Sequence, residues 1–160
     1  MRDGNDEDDY VQLAALGAEL HVLFDRLTRR RAGLTLFQFR LLDVLARSRP
    51  HALEPRDLGR ALDIGSNHVT KLLDQLEGGS PRLVLRSAHE SDRRRRLVSI
   101  TQAGVEYAER CAPQVHALQE RLLGGAFTPE ERTQLVEMAG RLREAIEASL
   151  VPSLPPRPGP

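Results

Sequence analysis

Between Glu54 and Glu77 the chain reads "EPRDLGRALDIGSNHVTKLLDQLE". Two helical patterns sit there with room between them for only a tight turn. Pro55 occupies a first-turn position, where its missing N–H costs nothing. The first pattern ends near Leu62, and "DIG" reverses the chain. In the second, Val69, Leu72, Leu73 and Leu76 follow the i, i+3, i+4, i+7 rule of an amphipathic helix. Its opposite face carries Asn67, His68, Thr70, Lys71 and Asp74, side chains unusually short or hydrogen-bonding for a plain solvent face. A short helix, a tight turn and a second helix with such a face make a helix-turn-helix.

The segment after Glu77 narrows the class. "GGSPR" is a turn cluster. "LVLRS" and "RRLVSI" are strand-like runs joined by the polar "AHESDRR", so a β-hairpin is expected. The segment from Arg82 to Arg96 holds six arginines against Glu90 and Asp92, four of them consecutive at Arg93, Arg94, Arg95 and Arg96. Adjacent guanidiniums repel, so either water or a dense negative partner must compensate them. The whole chain has 23 basic and 23 acidic residues, so its balance says nothing; the local clustering is the signal. A basic hairpin directly after the second helix makes the motif a winged one. The second helix then fits a major groove and the hairpin tip lies over backbone or in the minor groove. Strand alternation turns the four arginines different ways and favours Arg93 and Arg94 over Arg95 and Arg96 as contacts.

Long helices flank this unit. Over residues 9–30, Leu13, Leu16, Leu20, Leu23 and Leu27 recur at three- and four-residue steps, beside a second row of Val11, Ala15, Ala18 and Val22. Two apolar rows need cover on two sides, which is too much for a peripheral helix of a monomer. Thr35 and Gln38 are spaced as a capping box for a helix reaching about residue 47, where "SRPHA" breaks it. Thr101 can cap "QAGVEYAERCAPQVHALQERLL", in which Pro113 is expected to kink the helix and Gly124 and Gly125 to end it. Thr128, Pro129 and Glu131 start a last helix with Leu135, Met138, Leu142, Ile146 and Leu150 as its stripe.

Other chemistries find little support. Aromatics make up 4% of the chain and Trp is absent, so stacking of unpaired bases is disfavoured and a duplex is the better partner. Cys111 is the single cysteine and lies on an apolar seam, which reads as a buried small side chain and not a redox centre. His21, His51, His68, His89 and His116 form no compact ligand motif. No nucleophile–base pair, phosphate loop or metal cluster is evident, so neither an enzyme nor a cofactor or metal is expected. No apolar run approaches the ~20 residues of a membrane span, and the acidic start is unlike a signal peptide, so a cytoplasmic location is expected.

Taken in order, these segments resemble the MarR family of winged-helix transcriptional regulators. The matching pieces are "LTLFQFRLLDVL", "DLGRALDIGSNHVTKLLDQLE" and "DRRRRLVSITQAG", and the resemblance spans about residues 10–150. It implies a mainly α fold (an α+β winged helix), a helix-turn-helix with a β-hairpin wing flanked by N- and C-terminal dimerisation helices. The corresponding division is an acidic flexible start at 1–8, a dimerisation helix at 9–33, a DNA-binding domain at 34–101, dimerisation helices at 102–150 and a disordered proline-rich tail at 151–160. Carried over by position, groove-facing residues fall on Ser66, Asn67, His68, Thr70 and Lys71, and the wing motif on Asp92 and Arg94, with the aspartate orienting a wing arginine.

The resemblance further implies an obligate homodimer on a pseudo-palindromic operator, repression of transcription, and release by a small phenolic or anionic effector. For that effector His21, Phe24, Phe37, Arg40 and Tyr107 are candidate lining residues, with ordinary core packing as the alternative. The rival to DNA readout is a winged-helix module that binds a protein. Two departures from the family pattern stand out. "LEGGSPRLVLR" is longer by two residues, which is expected to shift the wing. Gly59 stands where the family prefers alanine, loosening the short helix by up to about 1 kcal/mol.

Overall fold

The computed structural model describes residues 4–88 and 95–150. Asp92, Arg93 and Arg94 of the expected wing, His89 and the tail 151–160 lie outside the described residues. The described chain is α1 (Gly4–Ala32), α2 (Leu36–Arg47), β1 (Ala52–Leu53), α3 (Pro55–Leu62), α4 (Ser66–Gly78), β2 (Val84–Ala88), β3 (Arg96–Ile100), α5 (Gln102–Ala126) and α6 (Pro129–Leu150). It divides into two compact units, one up to His116 and one from Ala117.

In the first unit, α1 ends where Gly33 takes a left-handed φ of 65°, its amide donating to the Arg29 carbonyl at 2.9 Å. The helix starts at Gly4, five residues before the expected start at Asp9. Acidic residues are favoured near a helix N-terminus, and the sequence carries four at 6–9. The capping box of α2 is complete: the Gln38 amide donates to Thr35 Oγ1 at 3.0 Å and the Thr35 amide to Gln38 Oε1 at 2.9 Å. Asp25 of α1 secures the same helix start, accepting from the Leu36 amide at 2.8 Å.

The core of this unit is built by Leu41, Leu42 and Leu45 of α2, Leu58 and Leu62 of α3, and Val69, Leu72, Leu73 and Leu76 of α4, closed by Val84 and Val98. Each such side chain fully removed from water contributes about 1.5–3 kcal/mol. The wing is part of a three-stranded antiparallel sheet ordered β1-β3-β2. Arg86 of β2 stands opposite Val98 of β3, and Ala52 of β1 opposite Ser99. The third strand was not expected; "SRPHA" breaks α2, and its last residue then opens β1. Cys111 is buried in a small second cluster with Ala32, Phe39 and Val115.

The α5 helix starts on Thr101, whose Oγ1 accepts from the Gly104 amide at 2.9 Å. It is helical through Pro113 and also through Gly124 and Gly125, which were expected to end it. Glycine weakens a helix by about 1 kcal/mol but does not forbid it. A glycine commonly ends a helix by taking a left-handed φ, and among the described glycines only Gly33 has one. The Phe127 amide still bonds to the Leu123 carbonyl at 3.0 Å. The second unit then begins α6 on its own capping box, Thr128 with Glu131, at 2.8 and 3.2 Å.

Candidate nucleic-acid interface

The turn between α3 and α4 is compact because Asp63 adopts a left-handed φ of 56°, a conformation short polar side chains tolerate. Gly59 permits the close approach. A Cβ there would lie 3.1 Å from the Ile64 carbonyl oxygen and 3.5 Å from Val69 Cγ2. The loosened short helix expected from Gly59 therefore has a packing reason: an alanine's helix propensity would be offset by that contact.

With Val69, Leu72, Leu73 and Leu76 buried, Ser66, Asn67, His68, Thr70 and Lys71 are all exposed on α4. Thr70 Oγ1 donates back to the Ser66 carbonyl at 3.0 Å. Gly65 is the N-cap and offers no side-chain bond; its carbonyl accepts from the His68 amide at 3.0 Å, and the positive end of the helix dipole lies at this end of α4. A cleft of about 670 Å3 opens beside them, lined by Arg56 and Arg60 of α3 together with Ser66 and Thr70. Those two arginines were missed in the sequence. The available signal was their place on the polar side of an amphipathic short helix whose partner begins at Ser66.

On the wing side, Arg96 opens β3 and borders a cleft of about 380 Å3 with Pro55, Thr70, Leu73 and Arg86. Arg95 pairs with Glu54, the N-cap of α3, its Nε donating to Oε1 at 2.7 Å. The wing base is thereby tied to the helix-turn-helix. A second tie was invisible in the sequence. Arg86 Nη2 lies 2.7 Å from Asp74 Oδ1 and 2.6 Å from Glu77 Oε2, and the Arg86 amide donates to Glu77 Oε1 at 3.0 Å. Bonds from the Arg86 amide and guanidinium hold the Glu77 carboxyl below the usual carboxylate range. Asp74 and Glu77 in turn raise the Arg86 guanidinium above its ordinary value.

The expected effector residues are only partly brought together. His21 of α1 and His68 of α4 both pack against Phe37, the first tilted and the second edge-on, at ring-centroid distances of 5.2 and 5.0 Å, and Arg40 lies 5.7 Å over the same ring. The cavity beside this aromatic cluster, about 280 Å3, is lined by His21, Asp25, Arg29, Thr35, Phe37, His68, Lys71, Leu72 and Gln75. Phe24, Arg40 and Tyr107 are not among its lining residues. Tyr107 instead donates its hydroxyl to the Ala32 carbonyl and carries Arg110 over its ring at 4.8 Å. Burial pushes the Asp25 carboxyl up, but bonds from Arg29 and the Leu36 amide outweigh that and leave it lowered.

No family model matches the sequence, and no curated protein matches it. Solved structures do match the fold. AbsC, a MarR family transcriptional regulator from Streptomyces coelicolor, superposes with a TM-score of 0.80 at 21% identity over 92% of this chain and 98% of its own. Another MarR family regulator from the same organism, solved in complex with DNA, gives 0.80 at 23% over 96% and 92%. BpsR from Bordetella bronchiseptica, whose DNA binding is described as regulated by 6-hydroxynicotinic acid, gives 0.71 at 25% over 82% and 91%. The likeness fixes the fold as a MarR-type winged helix. No helix among the described residues is long and apolar enough to cross a membrane.

Proposed function

We propose that this chain is a sequence-specific transcriptional regulator that binds double-stranded DNA as a homodimer. One observation carries the reading: every apolar side chain of α4 between Val69 and Leu76 is buried, and every residue left outside can hydrogen-bond. An asparagine such as Asn67 can pair with adenine, and a lysine such as Lys71 with guanine or phosphate. Ser66, His68 and Thr70 complete the groove-facing set, with Arg56, Arg60 and Arg96 flanking it on backbone phosphates. Asp92, Arg93 and Arg94, outside the described residues, are assigned to DNA contact by the sequence motif alone. MarR-fold neighbours solved in complex with DNA support the assignment.

The apolar rows support the dimer. Val11 is 66% exposed on α1 and Val136 72% on α6, with Leu13, Leu16, Leu20, Leu135, Leu142 and Ile146 also uncovered. Continuous apolar faces of this kind are covered in a stable protein, and a second copy is the occupant we assign. The dimer then presents two α4 helices to a pseudo-palindromic operator, about 34 Å apart. Occupying a promoter would repress it. A small aromatic anion entering beside Phe37 and Lys71 would favour a state whose spacing does not fit DNA and so release the operator.

Capture of genomic fragments by the purified protein tests the assignment. A symmetric motif with half-sites about 10 base pairs apart is expected. Enrichment of no sequence would reject it, and capture of a protein in place of DNA would support the interaction-module reading.

A further inference from the structure

Arg86 stands at the wing base within a basic surface, yet its charge is directed into two carboxylates of α4. Its Nη2 reaches Asp74 at 2.7 Å and Glu77 at 2.6 Å, its Nε reaches Glu77 Oε2 at 2.7 Å, and its backbone amide takes the remaining Glu77 oxygen. Its side chain is 33% exposed, less than the arginine of any other ion pair among the described residues; of its two partners Glu77 is 24% exposed and Asp74 58%, so the Glu77 arm is the less screened. A bidentate carboxylate bridging the backbone and side chain of one residue fixes position as well as charge. The pairing of β2 to β3 along five registered positions does not by itself tie the wing to α4; the Arg86 contacts do.

Resting on the DNA-binding reading above, we propose that Arg86 is a positioning residue that locks the wing to the recognition helix through Asp74 and Glu77. Helix and wing then meet DNA as one rigid head, and discrimination between sites depends on the lock. The acidic pair also has a cost without Arg86, which lines one cleft with Thr70 and Arg96: two carboxylates of the proposed DNA-reading helix would be left uncompensated.

Rigidity and charge make opposite predictions for the isosteric double variant Asp74→Asn, Glu77→Gln. It removes two negative charges, so attraction to a scrambled duplex rises. If the lock positions the wing, preference for the captured site over that duplex falls about tenfold, as when one base contact is lost. Arg86→Lys, which keeps the charge but not the bidentate geometry, should lose the same preference. Urea unfolding and circular dichroism show whether each variant is folded, and Glu77→Gln alone serves if the double variant is not. Unchanged or improved preference in folded variants would overturn the proposal. Absence of DNA binding by the unaltered protein is a separate result that rejects the proposed function instead.

Discussion

Replacing Gly104 by alanine probes how the wing, the recognition helix and α5 are held together. A Cβ at Gly104 would lie 2.2 Å from the Leu83 carbonyl oxygen and 2.6 Å from Ile100 Cγ1. Carbon–oxygen contacts settle near about 3.3 Å, so the Leu83 carbonyl and the start of α5 must separate by roughly 1 Å. Neither is free to move. The Leu83 oxygen accepts from the Thr101 amide at 3.1 Å, and the Leu83 amide bonds to the Leu76 carbonyl at 3.0 Å. Thr101 Oγ1 joins the Arg82 carbonyl at 2.8 Å to the Gly104 amide at 2.9 Å. Overpacking of this kind costs about 1–3 kcal/mol, and the strained cap adds about 1 kcal/mol. Alanine's helix propensity returns no more than about 1 kcal/mol. A net loss of about 1–3 kcal/mol should lower the urea midpoint by about 1 M at equal protein concentration. Gly125→Ala is the control, since its Cβ would meet nothing within 4 Å. It should leave the midpoint unchanged or raise it. A Gly104→Ala midpoint at or above that of the unaltered protein would refute the packing argument.

The surface and its ion pairs give further expected outcomes. Lys71→Ala and Arg96→Ala should each weaken duplex binding and lower the salt slope by about 1, read by fluorescence anisotropy across ionic strengths. Arg94→Ala should weaken binding clearly while the sedimentation coefficient of the dimer stays put. Leu20→Glu and Leu142→Glu, on exposed apolar rows of α1 and α6, should shift the sedimentation profile towards monomer. The pH dependence of Glu77→Gln has a definite sign. Glu77 has a depressed folded-state pKa, so its contribution is complete above the unfolded carboxylate value and is lost as pH falls through the folded one. The stability gap between Glu77→Gln and the unaltered protein should therefore be open at neutral pH and close below about pH 4, by urea unfolding.

The parts of this fold governed by neighbours in sequence could be read in advance. The Thr35–Gln38 and Thr128–Glu131 boxes join residues three apart, and the α4 stripe repeats within two turns; each is a local rule. What escaped the sequence depends on partners far along the chain. Two-residue β1 is too short to show any period and exists because Val98 and Ser99 offer it an edge. Arg95 meets Glu54 across 41 residues. Arg86 reads in sequence as one more wing cation, and only the fold turns it onto Glu77. The run through Gly124 and Gly125 shows the limit of residue punctuation, since glycine permits a stop without imposing one. In the expected effector group, His21 and Phe37 meet, whereas Tyr107 is held against Ala32. Apolar spacing on separate helices does not say which aromatic faces which space.

Titration of the purified protein with a labelled random duplex, repeated from dilute buffer to about 0.2 M salt, bears most directly on the claim that this surface meets a polyanion. Affinity should fall as a straight line of log K against log salt with a slope of several units, one for each phosphate displaced from its counterions. Binding that is absent in dilute buffer, or indifferent to salt, would contradict it.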